Sequence, residues 1–128
     1  VSAFYPTRLG PSQFVSYIGT APENTSVALD GLQSELRRLC KVPLTEHELQ
    51  VAKNKMLGQY ALGKQTNGQI AQLLGWYEIL GLGTAFDEQF QANINAVTIE
   101  AAQDAAKRCF VDSYISILGP ATAVEALR

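Results

Sequence analysis

The sequence predicts an α+β fold. The expected form is a two-layer sandwich with a mixed or antiparallel sheet covered on one face by helices, in the order β-β-α-α-α-α-α-β. Three observations predict it. The first twenty residues alternate in polarity and are rich in aromatic and β-branched types; the hydrophobic period then lengthens from two to about 3.6 from Pro22 onward; and a Tyr-Ile-Ser-Ile-Leu run near the end closes on Gly119-Pro120. With 128 residues, 47% of them apolar, residues 1–128 read as a single domain able to bury roughly two thirds of its unfolded surface.

Residues 1–8 (VSAFYPTR) read as a strand that Pro6 confines to an edge or ends early. The LGPS stretch at 9–12 has hairpin-turn chemistry. Residues 13–20 alternate Phe14, Ser16 and Ile18 against Val15 and Tyr17, giving a second strand antiparallel to the first. From Pro22, the stripe Ala28, Leu29, Leu32, Leu36 and Leu39 predicts a helix to about Cys40. The next helix opens in PLTEHELQVAK, where Thr45 stands three residues before Glu48. That spacing is a capping box, each side chain accepting from the other's amide, and it stabilises the helix start by about 1 kcal/mol.

The capped helix carries the stripe Leu49, Ala52, Met56 and Tyr60 and fades near Gly63. A break at 65–68 separates it from a third helix, 68–80, with Ile70, Leu73, Leu74 and Tyr77 on its apolar face. Gly81 and Gly83 end that helix and Thr84 caps a fourth, with Asp87 in its first turn and Phe86, Phe90 and Ile94 on one side. Thr98 caps a fifth, whose apolar face is Ile99, Ala102, Ala106 and Cys109/Phe110. Residues 114–118 (YISIL) read as a buried strand, and the tail to Arg128 as short and helix-compatible. Three strands make a thin sheet, and a strand beginning at residue 1 leaves an edge open. The sheet is therefore expected to continue in residues upstream of Val1.

Composition and motif spacing exclude several chemistries. A net charge of −2 and a pI near 5.3 provide no electrostatic footprint for nucleic acid. No apolar run approaches the ~18 residues of a membrane span, and no signal peptide is recognisable. His47-Glu48 begins like the H-E-x-x-H zinc helix, but the fifth position is Val51 and the chain has a single histidine, so neither that motif nor H-x-x-E-H can form. The capping box makes His47 an exposed first-turn residue, and Ser/His/Asp catalysis lacks a specified serine.

Cys40 and Cys109 lack C-x-x-C spacing and fall on apolar helix faces; the sequence leaves a disulfide between them open. The carboxylates Glu35, Glu46, Glu48, Asp87 and Glu88 fall on polar helix faces, where solvation is the default. Tyr5, Tyr17 and Tyr114, with Trp76 and Tyr77, are read as core aromatics before they are read as a pocket lining. GLGTAF at 81–86 lacks both the third glycine and the βαβ context of a dinucleotide site. The Asn24-Thr25-Ser26 sequon sits in a helix first turn and carries no weight. No catalytic, metal or substrate-binding residue is assigned.

The order of motifs nevertheless resembles the pitrilysin/insulinase-like (M16) zinc peptidases of the processing-peptidase type. The resemblance is carried by Thr45-x-x-Glu48-Leu49-x-x-Ala52-Lys53, GWYEILGLGTAFDEQF, INAVTIEAAQDAAKRCF and YISILGP, preceded by FVSYIGTAPEN, and so covers nearly the whole chain. It implies the later part of one metallohydrolase-type α+β unit, in a protein built from homologous units that enclose a chamber for peptides. Without H-x-x-E-H, the chain resembles the metal-free, non-catalytic C-terminal half. Zinc is then expected not here but in a homologous partner domain or subunit, with a peptide as substrate and no nucleic acid or membrane as partner. The family's Arg- and Tyr-bearing substrate segment would precede Val1; neither Arg8 nor Tyr5 matches it. The resemblance leaves two alternatives open. One is a structural or assembly module of an inactive relative; the other is an interaction domain that pairs through its open sheet edge as a homodimer.

Overall fold

The computed structural model describes residues 1–125. In chain order it contains β1 (Ser2–Phe4), β2 (Val15–Tyr17), a 3-10 turn (Pro22–Asn24), α1 (Thr25–Lys41), α2 (Glu46–Leu62), α3 (Asn67–Ile79), α4 (Phe86–Asn95), α5 (Ile99–Cys109) and α6 (Ala121–Glu125). The chain divides into two compact units: residues 1–6, 12–43 and 103 onward in the first, residues 7–11 and 44–102 in the second. No helix among the described residues is long and apolar enough to cross a membrane.

The expected sandwich is not formed. The chain is mostly helical, and its sheet has two strands, antiparallel, with Ser2 opposite Tyr17, Ala3 opposite Ser16 and Phe4 opposite Val15. Each strand keeps three of the eight residues expected of it. Residues 114–118, expected as a buried third strand, have no regular secondary structure; Tyr114 and Leu118 are fully exposed. The physical reason is that β-propensity is realised only against a neighbouring strand, and none lies beside this run. Of the tail expected to be helix-compatible, Ala121–Glu125 is helical and the last three residues lie outside those described.

In the first unit, α1 presents the expected stripe, with Leu29, Leu32, Leu36 and Leu39 all half-buried. It is tied to α5 by two bonds across 60-odd residues of sequence: the Cys40 thiol donates to the Ala106 carbonyl at 3.6 Å and the Gln103 amide donates to the Cys40 carbonyl at 3.4 Å. Both cysteines are free, and Cys109 is exposed rather than on a covered face. The rings of Phe14 and Phe110 meet at 4.8 Å between centroids. Only Ala106 of this unit is buried among the described residues.

The second unit is organised by its helix ends. Thr45 and Glu48 form the expected capping box: the Glu48 amide donates to Thr45 Oγ1 at 3.2 Å and the Thr45 amide to Glu48 Oε2 at 2.8 Å. His47 is exposed beside it. A second box opens α3, where Thr66 and Gln69 exchange the same pair of bonds. The sequence reading placed only a break there. At the other end of α3, the Gly81 amide donates to the Glu78 carbonyl and the Leu82 amide to the Tyr77 carbonyl, each at 3.0 Å. Gly81 has φ +73°. This is a Schellman stop, which needs a residue free of Cβ strain in the left-handed region.

Two expectations for this unit are corrected. Thr84 does not cap α4; its amide is held by the Glu78 carboxylate at 2.9 Å, and the cap position falls on Ala85 with no side-chain bond. On α2 the covered face is Leu49, Lys53, Leu57 and Tyr60, while Ala52 and Met56 are exposed, because Lys53 reaches across to donate to the Asn95 carbonyl at 2.8 Å.

Thr66→Ala should lower stability by about 1 kcal/mol through the lost cap, and Gly81→Ala by about 1–2 kcal/mol through left-handed strain. Urea unfolding followed by fluorescence of the single tryptophan, Trp76 of α3, reads both.

Candidate functional site

Sequence reasoning assigned no site, and the structure forms one cluster of polar side chains inside the second unit. Asp87, in the first turn of α4, is its centre. Lys64, just past the end of α2, places its ammonium 2.7 Å and 2.6 Å from the two Asp87 carboxylate oxygens. The Tyr60 hydroxyl donates to Asp87 Oδ1. The Tyr60 and Tyr77 hydroxyl oxygens lie 2.9 Å apart. Tyr60 has one hydroxyl proton and Asp87 holds it, so Tyr77 is the donor in that second bond. Tyr77 is buried, whereas Tyr60, Lys64 and Asp87 are half-buried.

Aromatic packing fixes these groups in place. The Tyr60 ring stacks on Phe90 with centroids 3.8 Å apart and planes 15° from parallel. Tyr77 meets Phe86 edge-on at 5.0 Å, the arrangement the ring quadrupoles favour. The Lys64 ammonium also lies 5.0 Å from the Tyr60 centroid, within cation–π range. Beside the cluster runs an open groove of about 570 Å³, lined by Leu57, Tyr60, Lys64, Asp87, Glu88 and Gln91.

The electrostatics follow from these contacts. Hydrogen bonding from Lys64, then from Tyr60, holds the Asp87 carboxyl below the ordinary aspartate value. Burial first, and the bond to the Asp87 carboxylate second, push the Tyr60 phenol well above its ordinary range. The arrangement therefore favours one protonation state, a neutral Tyr60 against a charged Lys64–Asp87 pair. It has neither a free base nor an activated nucleophile: the carboxylate oxygens are occupied and the phenol proton is held. Its chemical capacity is that of a clamp joining α2, α3 and α4.

The residues weighed in the sequence are placed as follows. Asp87 is paired rather than solvated on a polar face. Glu48 serves the cap, and Glu35 accepts from Arg38 at 2.8 Å on the surface of α1. Tyr5, Tyr17 and Tyr114 are exposed and form neither core nor pocket; Tyr77 is core, as expected. Among the described residues no three His, Cys, Asp or Glu side chains converge as metal ligands do. The Tyr60–Lys64–Asp87 cluster was missed. Its one sequence signal is Tyr60 and Lys64 four residues apart, near an acidic residue between Phe86 and Phe90.

Comparison with known proteins finds no matching family model, no similar curated protein and no similar solved structure.

Tyr60→Phe should cost about 1 kcal/mol, and Asp87→Asn about 1–2 kcal/mol, at the low end because the pair is partly exposed. The sign with pH is set by the two shifts. A depressed Asp87 contributes stability above the ordinary carboxyl value of 3.8, lost as pH falls through its folded value. A raised Tyr60 contributes stability below the ordinary phenol value of 10.0, lost as pH rises through its folded value. Thermal unfolding across pH should show Asp87→Asn flattening the acid limb and Tyr60→Phe the alkaline limb; unchanged limbs would rule out the clamp.

Proposed function

We propose that the chain is a non-catalytic unit of a zinc-dependent processing peptidase of the pitrilysin/insulinase type, and that the unit carrying its hairpin is the face on which a zinc-bearing homologous domain closes a peptide chamber. One observation carries this reading. The hairpin unit buries little and exposes much: Val1 is 93%, Val27 74% and Val111 72% exposed, with Tyr114 and Leu118 fully so. These exposed apolar side chains are the support for reading that unit as an interaction face.

The second support is the run of family-like motifs, from Thr45-x-x-Glu48-Leu49 to YISILGP, in the family's order along nearly the whole chain. The chemistry assigned to the partner is a zinc-activated water with a glutamate base. This chain's share is enclosure. Its hairpin unit offers apolar surface to the partner, and its clamped helices hold the second unit rigid beneath the groove. A scaffolding role in an inactive relative is the second reading. The saturated hydrogen bonding of the clamp favours it, because a chamber wall that touches substrate is expected to keep some polar groups unpaired.

Metal analysis of the purified chain should find no stoichiometric zinc, and hydrolysis of a fluorogenic peptide should appear only when a zinc-bearing half is added. One zinc per chain, or peptidase activity by the chain alone, would overturn the proposal. Complex formation with the zinc half but no hydrolysis would favour the scaffold.

A further inference from the structure

We infer that Cys40 and Cys109 are a reversible dithiol–disulfide pair, and that oxidation staples together the two separated chain segments from which the first unit is built. The pair uses residues that the proposed function leaves idle, and the inference stands independently of that function.

The first unit is discontinuous. Residues 12–43 and those from 103 onward belong to it, whereas residues 44–102 between them in sequence belong to the second unit apart from any share in the first. Cys40 lies in the last turn of α1, near the end of one segment, and Cys109 is the last residue of α5 in the other. The polar and aromatic contacts between the segments, among the described residues, are the Cys40–Ala106 and Gln103–Cys40 bonds and the Phe14–Phe110 pair. Ala106 is the one buried side chain there. A covalent link adds most where so little else holds two segments together.

The geometry brings both sulfurs within reach of one atom. The Cys40 thiol is 3.6 Å from the Ala106 carbonyl oxygen, and the same oxygen accepts from the Phe110 amide at 2.9 Å. A helical side chain with a heteroatom at the γ position reaches the carbonyl three or four residues back, as serine and threonine hydroxyls do. For Cys109 the carbonyl three residues back is that of Ala106. Rotation about the Cα–Cβ bond of Cys109 therefore carries its sulfur toward the oxygen that Cys40 already touches. That is the kind of approach a disulfide requires, because it spans Cα atoms only up to about 7 Å apart. Each cysteine also stands at or next to the last residue of its helix. Helix ends fray, which gives the backbone room for the remaining adjustment.

The two thiols differ as such a pair requires. Cys109 is exposed and meets an oxidant in solution, while Cys40 is partly covered. Redox-responsive sites set an accessible thiol beside a resolving one. Hydrogen peroxide converts the Cys109 thiol to a sulfenic acid and releases one water. The Cys40 sulfur then attacks the Cys109 sulfur. The S–S bond forms, the S–O bond breaks, and the hydroxyl leaves with the Cys40 proton as a second water. Two thiols have lost two electrons and two protons, and one peroxide has become two waters. A dithiol reductant reverses the step by exchange.

The bond closes a loop of about 70 residues, long enough to remove much of the entropy of the denatured chain. The test treats the reduced chain, at low micromolar concentration, with equimolar hydrogen peroxide and reads the intact mass and its tryptic peptides. The expected product has lost two hydrogens and gained no oxygen, links residues 39–41 to residues 109–128, and reverts fully with dithiothreitol. In glutathione buffers the disulfide should be favoured roughly a hundredfold or more in the folded chain over the chain in urea. Oxidation should raise the Tm of the wild type by roughly 10 °C or more and leave that of Cys109→Ser unchanged. Cys40→Ser should stop at a sulfenic acid on Cys109 that dimedone traps. Helical circular dichroism of the reduced variants reports their folding independently. Disulfides only between chains, over-oxidation of Cys109 without the link, or a link no more favoured when folded than in urea overturns the inference. None of these readouts involves zinc or peptide hydrolysis, so the proposed function stands or falls separately.

Discussion

Asp87 is the acceptor on which the second unit depends. Two side chains of the α2 region, Tyr60 and Lys64, converge on it, and Tyr77 of α3 reaches the same cluster through the Tyr60 hydroxyl. Because Asp87 sits in the first turn of α4, its charge also lies at the end of the helix dipole that favours it. Only Leu49 and Tyr77 of this unit are buried among the described residues, so hydrophobic burial alone gives the three helices little reason to hold a single arrangement. A charged hydrogen-bonded cluster supplies that reason, since its geometry is satisfied in one register and unsatisfied in its neighbours. Tyr60 makes the arrangement economical: one side chain stacks on Phe90, underlies the Lys64 ammonium and joins two hydroxyls.

The first unit contrasts with this at every level. Its covered contacts are a thiol and an amide bridging α1 and α5, a phenylalanine pair, and one buried alanine. Local stability tracks buried apolar contact, and the parts of a protein that bind or rearrange are drawn from the low end of that scale. The division of labour between the units is thus physical before it is functional. Both units expose large apolar side chains, Leu62 and Ile79 in the second as well as Val27 and Val111 in the first; what sets the second apart is its hydrogen-bonded cluster.

What the sequence made legible follows the range of the interaction. The Thr45–Glu48 box, the Gly81 stop, the exposed position of His47 and the stripe of α1 all depend on residues within about one or two helical turns of one another, and each is found where it was expected. The antiparallel pairing of the first two strands is also found, though each is shorter than its composition suggested. The third strand is absent because its formation depends on a partner that local pattern cannot supply. Asp87 was misread for a related reason. A carboxylate on a polar helix face looks solvated unless the groups opposite are known, and those lie 23 and 27 residues away. The Thr66–Gln69 box obeys the same spacing rule as Thr45–Glu48, but it stands between Gly63 and Gly68, residues that by themselves signal a break.

The capped helices and the sparse core are connected. An isolated helix shorter than about 12–15 residues is marginal in water, because nucleation costs more than a few hydrogen bonds return. α2 and α3, of 17 and 13 residues, each close their exposed amino end with a reciprocal box, and α3 closes its other end with the Gly81 stop. Helices stabilised at their ends need less tertiary burial to persist. Ordering cost is then met within the monomer, and association has less of it to overcome. A chain built this way can leave apolar surface open in the hairpin unit without losing its helices.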